Sequence, residues 1–473
     1  MVGPWPSKAW PVMCRERHSA EAFLTNPMKM VARVPLLLVL LSGAWGMPRA
    51  ALAQPTAPAA PATLDQAKPA ESPIASVPGT EASSSVAPPV APAADASPTF
   101  SVAPGKGLTV TTADRRFQLQ FRSRIQLRES FVHNDQLNTN ELQVKTLRLF
   151  VQGYVLSPDL KYLIQLAFGS GDFDKDSNSP VFDAFVEYVK IRDLNIRFGQ
   201  YFVPFDRART IREFALQFVD RQVTVRELTL DRDVGLMLSS SDLFGLSSKL
   251  AYNLFVGSGD GKNRVADAKN EYAAQHPSAL VVGRLIVRPF GAFDDDQEGD
   301  LTRSPTPKLA IGVAGAFNKA TGRERGTTGN TFTLGSFDYA HGAADLVFKW
   351  RGFALLAEGL IREANRKLNR GTDAGGAALV ERSRSGFGYF VQAGQMVTEK
   401  LEVTARWDDL HARKGTDPAL VALVNSSGRQ LGTGLNLYLN GHQFKLQADY
   451  FYIFGEDIGT ASHALRAQLD ATF

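Results

Sequence analysis

The chain has 473 residues, 44% of them hydrophobic and 21% charged, with a formal net charge of +4. Its single cysteine, Cys14, excludes a fold held by internal disulfides. After residue 55 there is no run of about 20 apolar residues, which excludes an internal transmembrane helix. The mean hydropathy of −0.14 still permits a membrane protein whose strands alternate polar and apolar side chains.

The first 53 residues have the features of a secretory signal. Two basic residues precede the apolar stretch Val34–Trp45, and Ala51-Leu52-Ala53 places small residues at a cleavage site. We predict a signal peptide in residues 1–53, including an over-called extension before Met28. Its removal takes away six basic and two acidic residues and leaves 46 of each, so net charge indicates no nucleic-acid partner.

A linker is predicted next, in residues 54–110. Pro, Ala and Ser dominate residues 54–99, and few bulky side chains interrupt them. Such a segment cannot bury enough apolar surface to fold, so we predict a disordered or extended periplasmic linker. The remaining residues, 111–473, are predicted to form the folded domain.

From Arg116 to Phe131 the chain alternates polar and apolar side chains. A period of two indicates a β-strand, and its length suits a tilted transmembrane strand of about 9–11 residues that continues past the bilayer. An arginine that faces lipid at mid-membrane costs about 2–4 kcal/mol. The apolar face is therefore predicted to contact lipid, and Arg116, Arg122, Arg124 and Arg128 to line a water-filled interior.

The same alternation recurs along the rest of the chain and predicts an all-β fold, a transmembrane antiparallel β-barrel of about sixteen strands. Connections alternate between short inner turns and longer outer loops, as in a bacterial barrel with both chain ends in the periplasm. One inner turn, 289–306, is too long for this pattern and indicates either an insertion or a miscount. The predicted strands are 115–132, 142–155, 160–169, 180–191, 194–203, 232–239, 246–256, 279–288, 307–317, 335–350, 353–362, 385–394, 401–408, 429–439, 442–453 and 464–473.

Four segments of this domain resemble the phosphate-selective porin O and P family. They are Arg197–Phe205, Asp231–Gly235, Tyr252–Asn263 and Gly434–Tyr450, in the order and spacing of barrel strands. The resemblance covers residues 115–473. It implies a sixteen-stranded barrel in the outer membrane of a Gram-negative bacterium, a homotrimer with loops folded into the pore, and an anion channel that favours phosphate.

Basic residues on the inward face are the candidates for binding anions, because guanidinium groups are permanently charged and bind phosphate through paired donors. Acids on the same face, Asp183, Glu187, Asp345, Glu358 and Glu402, could cancel them. The predicted pore-lining residues are Arg116, Arg122, Arg124, Arg128, Arg148, Lys161, Arg197, Arg284 and Arg288.

The third outer loop, 204–231, is the predicted constriction. It carries Arg207, Arg209 and Arg212, together with apolar residues that would pack against the inside of the wall. The alternative is an outward-facing loop held by salt bridges.

Catalytic, cofactor and metal sites are not predicted. The sequence has no GxSxG or HExxH motif. Asp172, Asp174, Asp176 and Asp183 have the spacing of a calcium loop, but Ser177 stands where the sharp turn needs glycine.

The sequence therefore predicts a non-enzymatic outer-membrane porin for small hydrophilic solutes, favouring anions such as phosphate, with membrane lipid and lipopolysaccharide as further partners. Two alternatives stay open: a general or sugar-type porin without anion preference, and a structural or adhesive barrel.

Overall fold

The computed structural model describes residues 97–134, 137–170, 172, 179–263, 278–372, 375–456 and 461–473. All of them belong to one compact unit, Ala87–Phe473. The predicted signal peptide and most of the predicted linker lie outside the described residues. The described strands are β1 Thr99–Ala103, β2 Gly107–Thr111, β3 Phe117–His133, β4 Asn138–Val155, β5 Leu160–Ala167, β6 Val181–Tyr188, β7 Asn195–Phe202, β8 Arg232–Ser240, β9 Leu250–Gly257, β10 Ala279–Val287, β11 Lys308–Thr321, β12 Phe337–Trp350, β13 Phe353–Ala364, β14 Leu368–Thr372, β15 Ala378–Arg382, β16 Gly386–Met396, β17 Leu401–Ala412, β18 Arg429–Asn440, β19 Phe444–Phe454 and β20 Ser462–Thr472.

Sixteen of these strands, β3–β13 and β16–β20, form a closed antiparallel barrel. Each pairs with the next one along the chain, and β20 pairs with β3 from His463↔His133 to Thr472↔Arg124. Closure leaves no open edge within this wall, which is the condition for a sheet to cross a bilayer. The predicted sixteen-stranded barrel is confirmed.

The two faces of the wall have opposite chemistry. On β18, Leu431 and Leu435 are each about half exposed on the outside, whereas Asn436 is fully buried on the inside. The same contrast recurs around the barrel, where exposed Phe, Leu, Val and Ile side chains cover the outer surface. An apolar surface of this extent is expected to contact lipid. The structure is that of an outer-membrane β-barrel.

A hairpin precedes the barrel. β1 and β2 pair with each other, and β2 pairs with the lower end of β3 from Leu108↔Phe121 to Thr111↔Gln118. Residues up to 110 were predicted to belong to the linker, but the strands begin earlier, at Thr99. The prediction missed these strands because each has only five residues and follows a Pro/Ala-rich segment.

The connections carry the remaining elements. The outer loop between β7 and β8 contains two short helices, α1 Arg207–Thr210 and α2 Val223–Leu228, and another outer loop contains the helix Pro418–Ser427. No helix in the described part of the chain is long and apolar enough to cross a membrane. The long inner turn is a real insertion, because β10 ends at Val287 and β11 begins at Lys308.

Candidate functional site

The loop between β7 and β8, residues 203–231, lies inside the barrel. Its backbone and side chains bond to inward-facing groups of strands on several sides of the lumen. The Val219 amide donates to Asp449 Oδ2 of β19 (2.9 Å), and Arg128 of β3 donates to the Val219 carbonyl (2.8 Å). On the far wall, the Ala208 amide donates to Glu358 Oε2 of β13 (3.0 Å). The loop therefore crosses the lumen, as predicted, and is not an outward-facing loop.

Apolar residues hold the loop in place as well. Phe205, Ile211, Leu216 and Phe218 are at most 3% exposed. Phe218 packs edge-on against Phe451 of β19, with ring centroids 5.3 Å apart. Phe205, Ile211 and Leu216 belong to one core with inward-facing apolar residues of the wall, among them Phe255 of β9 and Leu356 of β13. This shared packing keeps the charged side chains of the loop in defined positions.

The insertion between β10 and β11 enters the lumen from the opposite end and meets the loop. Asp295 Oδ2 accepts from Arg207 Nη1 (2.9 Å) and from Arg288 Nε (3.0 Å). Glu298 Oε2 accepts from the Gln217 amide (2.6 Å) and from Gln392 Nε2 of β16 (2.7 Å). Sequence reasoning missed this role for Asp295 and Glu298; the only signal was the excessive length of the inner turn.

Two cavities lie between the loop and the β3–β6 side of the wall. The outer cavity has a volume of about 400 Å³ and the inner cavity about 20 Å³, and Glu213 borders both. A cavity of about 10–15 Å³ holds one water molecule, so the inner cavity has room for about one; we call it the narrow section. Among the described residues, ten basic side chains line the two cavities: Arg124, Arg128, Arg148, Arg209, Arg212, Arg221, Arg226, Arg232, Lys145 and Lys262. Five acids share the lining: Asp172, Asp183, Asp220, Asp231 and Glu213.

Four arginines line the inner cavity, and three of them have acidic partners. Arg124 donates to Asp470 (2.9 Å), Arg148 to Asp172 (2.8 Å), and Arg232 to Asp183 (2.7 Å). The fourth, Arg212, extends from the loop and is exposed to the lumen. Within the described part of the chain it forms no ion pair, and the charges of Asp183 and Asp296 act on it only from a longer distance.

The outer cavity contains further cations without acidic partners. Lys145 and Arg226 form no ion pair among the described residues. Arg221 donates to the backbone carbonyls of Ala208 and Ile211, the latter at 2.6 Å. Burial, followed by repulsion from neighbouring Arg209, lowers the pKa of Arg221 to about 10, which still leaves it charged at pH 7.

Lys145 reaches the lumen because of a β-bulge. The register of β3 with β4 shifts between Gln126↔Thr146 and Leu127↔Val144, which leaves Lys145 as the extra residue. An extra residue of this kind redirects a side chain to the other face of the sheet. Strict alternation from Thr146 would place Lys145 against lipid, so Lys145 was not among the predicted lining residues.

Five of the predicted residues border the two cavities: Arg124, Arg128, Arg148, Arg209 and Arg212. Arg122 of β3 lies near Arg212 of the loop and donates to Gln152 Oε1 (2.9 Å). The exposed Lys161 and the half-buried Arg197 lie on β5 and β7, and Arg197 donates to Glu187 (2.8 Å).

Three of the predicted lining residues (Arg116, Arg284 and Arg288) and Arg207 of the predicted constriction loop do not border the two cavities. Arg116 lies exposed in the turn before β3, because the strand begins one residue later. Arg207 and Arg284 are buried against Asp345, and Arg288 pairs with Asp295. Arg284 also donates to the Phe205 carbonyl of the loop (2.8 Å), and Arg207 donates to Asp295 of the insertion (2.9 Å). These contacts hold the loop and the insertion in place.

Each of the five acids predicted on the inward face accepts at least one hydrogen bond from a described residue. Glu402 accepts from Gln217, Asn436 and Tyr438, at 2.6, 3.0 and 2.6 Å. Of the four aspartates with calcium-loop spacing, Asp172 and Asp183 pair with arginines, and the other two lie outside the described residues. No group of three or more metal-ligating side chains is found among the described residues.

The closed wall and its apolar outer surface define an outer-membrane β-barrel. No protein-family profile matches the sequence, and no curated protein matches it. The resemblance to the phosphate-selective porin O and P family therefore stays a prediction.

Several solved structures are similar in fold. OmpF of Salmonella typhi in complex with daunomycin is 14% identical, with 76% of this chain and 98% of that chain covered and a TM-score of 0.49. OmpT, an outer membrane protein of Vibrio cholerae, is 11% identical, with 76% of this chain and 98% of that chain covered and a TM-score of 0.44. The outer membrane channel DcaP of Acinetobacter baumannii is 12% identical, with 75% of this chain and 97% of that chain covered and a TM-score of 0.43. Identities this low carry no information on the solute.

Proposed function

We propose that the protein is a passive outer-membrane channel for small hydrophilic solutes that prefers anions such as phosphate. The solutes diffuse through the outer and inner cavities along the β3–β6 wall, without a cofactor or energy coupling. The observation that carries this proposal is the lining of the two cavities, which contains ten basic side chains and five acidic ones. A surplus of fixed positive charge raises the local concentration of anions.

The narrow section supports the preference for small oxyanions. Arg212 offers guanidinium donors that no acidic side chain occupies within the described part of the chain. Paired guanidinium donors match the oxygens of a phosphate. The surrounding carboxylates keep most of the other arginines partly neutralised, which favours transit over tight binding, because an ion that is held too strongly cannot leave. The family's homotrimeric assembly and contacts with lipopolysaccharide belong to the same proposal.

Planar bilayers test this function. Purified protein is inserted into a bilayer of neutral lipid that separates concentrated from dilute KCl, and the zero-current potential is measured. We expect a potential of the sign for chloride transport and a smaller chloride current after phosphate is added. Channel events with a cation-selective potential would contradict the anion preference.

A second candidate is a structural barrel with little conduction. It is favoured by the inner cavity of about 20 Å³ and by the two segments that fill the rest of the lumen. Folded protein that inserts into the bilayer without channel events would support this candidate and contradict the channel. Channel events without ion preference would support a general or sugar-type porin.

A further inference from the structure

The hairpin β1–β2 is a fixed continuation of the barrel wall. β2 occupies the edge of β3 directly below the point where β20 ends, at Thr472↔Arg124. The turn of the hairpin packs on the turn between β18 and β19: a Cβ added to Gly105, which has a φ of +70°, would lie 2.1 Å from Gln443 Cδ. Pairing and packing together hold the orientation of both hairpin faces relative to the barrel.

One face of the hairpin is apolar. Residues that are directly paired across a sheet point to the same side. One row runs from Val102 through Leu108 to Phe121, and the next from Phe100 through Val110 to Leu119. These rows lie on the outer side of the wall, because Phe121 pairs onward with Val151 and then Ile164, which is 44% exposed to the lipid side.

The opposite face of the hairpin is polar. Its row runs from Ser101 through Thr109 to Gln120, on the side that faces the lumen higher in the barrel. Gln120 Nε2 donates to the Lys106 carbonyl (2.9 Å), and Gln118 Nε2 donates to Thr111 Oγ1 (3.2 Å). The hairpin thus repeats the two-faced pattern of the membrane-spanning strands, although it lies outside the closed barrel.

The apolar face is uncovered within the described part of the chain. Phe100 is 67% exposed and Val102 is 79% exposed. β1 also pairs along one edge only, with β2, among the described strands. The apolar side chains favour lipid, whereas the open backbone edge needs water or headgroup partners, because hydrocarbon satisfies no peptide group. Only the boundary between headgroups and acyl chains provides both environments.

We propose that the β1–β2 hairpin is a membrane-interface element, whose apolar face lies in the periplasmic boundary of the outer membrane beside the barrel. Lipid is the occupant because this face continues without interruption into the lipid-facing surface of β3 through Phe121 and Leu119. The hairpin pairs with the lower end of β3, which β20 does not reach, and fixes the point at which the chain leaves the membrane for the periplasm.

Single cysteines test this placement, because the only natural cysteine is Cys14. Phe100→Cys and Val102→Cys are labelled with an environment-sensitive fluorophore and reconstituted in phosphatidylcholine vesicles that contain lipids spin-labelled near the headgroup. Ser101→Cys and Thr109→Cys are matched controls on the polar face, and Leu435→Cys on the barrel wall is the lipid-facing reference. Heat-dependent gel mobility confirms that each variant is folded.

We expect the labels at positions 100 and 102 to lose fluorescence with the spin-labelled lipid, as at position 435, and to resist iodide in the water. The labels at positions 101 and 109 should respond more to iodide. Labels at 100 and 102 that respond to iodide and not to spin-labelled lipid would overturn the proposal. A disulfide between two copies through Val102→Cys in intact membranes would also overturn it, because a second copy would then cover the face.

Discussion

Arg212 is the residue on which the anion preference depends most directly. It lies at the narrow section and lacks an acidic partner among the described residues, unlike Arg124, Arg148 and Arg232 beside it. The paired arginines contribute a smaller net field, because each is opposed by a carboxylate a few ångströms away. Selectivity is therefore expected to follow the unpaired charges and not the total number of arginines.

Arg212→Gln is expected to lower the ratio of anion to cation permeability about fivefold. A unit charge acting on an ion at about 4 Å contributes about 1 kcal/mol in water-like surroundings, which is about a fivefold change in concentration. The zero-current potential in a KCl gradient measures the change. Arg116→Gln, in the exposed turn before β3, is the matched control and should leave the potential unchanged. An Arg212→Gln variant with the same potential as the unchanged protein would remove this residue from the mechanism.

The residue scale also shows where sequence reasoning stops. Alternation placed Arg124, Arg128 and Arg148 inside the barrel, because a period of two determines the face of a regular strand. Lys145 could not be found in this way, because a bulge changes the face and the bulge depends on the pairing with β3. The roles of Arg207 and Arg284 were also hidden, since their common partner Asp345 lies more than fifty residues away in the sequence.

At the scale of elements, the loop 203–231 and the insertion 288–307 hold each other inside the lumen. Asp295 joins Arg207 of the loop to Arg288 at the start of the insertion. Glu298 adds a second connection: its side chain accepts from the Gln217 amide, and its backbone amide donates to the Ala215 carbonyl. Each segment enters from a different end of the barrel, so neither can move far without breaking bonds of the other.

Asp295→Asn is expected to destabilise this connection. Removing one partner of a buried ion pair costs about 3–5 kcal/mol, because the remaining charge loses its compensation. We expect a lower urea midpoint for loss of the loop from the lumen, measured by protease cleavage within the loop, and larger current fluctuations in bilayers. Asp296→Asn, at an exposed neighbouring position, is the control and should behave as the unchanged protein. Equal midpoints for the two variants would contradict the proposed connection.

Strands and connections differed in how far the sequence could predict them. All sixteen barrel strands were found, because each alternates over a length suited to the bilayer. The hairpins β1–β2 and β14–β15 and the helix Pro418–Ser427 were missed. They are short, and they lie in connections where no membrane imposes a period. The inward course of the loop was predicted from its apolar residues, whereas the insertion carried no comparable signal.

At the scale of the whole molecule, the preference for anions should depend on salt. The charged groups face water inside the cavities, and the screening length falls from about 10 Å at 0.1 M to about 3 Å at 1 M salt. We expect the ratio of anion to cation permeability to decrease when both sides of the bilayer are raised from about 0.1 M to about 1 M at a constant gradient. Zero-current potentials at the two salt levels measure it. An unchanged ratio would indicate sieving by size instead of electrostatic selection.

The position of the loop inside the barrel also sets an order of events during folding. Its bonding partners include Arg128 on β3, near the start of the barrel, and Asp449 and Lys445 on β19, near its end. These partners come together only after nearly every strand has been added and β20 has met β3. The loop can contact β10, β12 and β13 earlier, but its full set of bonds can form only after the wall has closed. Because the inner cavity lies between the loop and β3 to β6, it takes its final shape together with these last bonds.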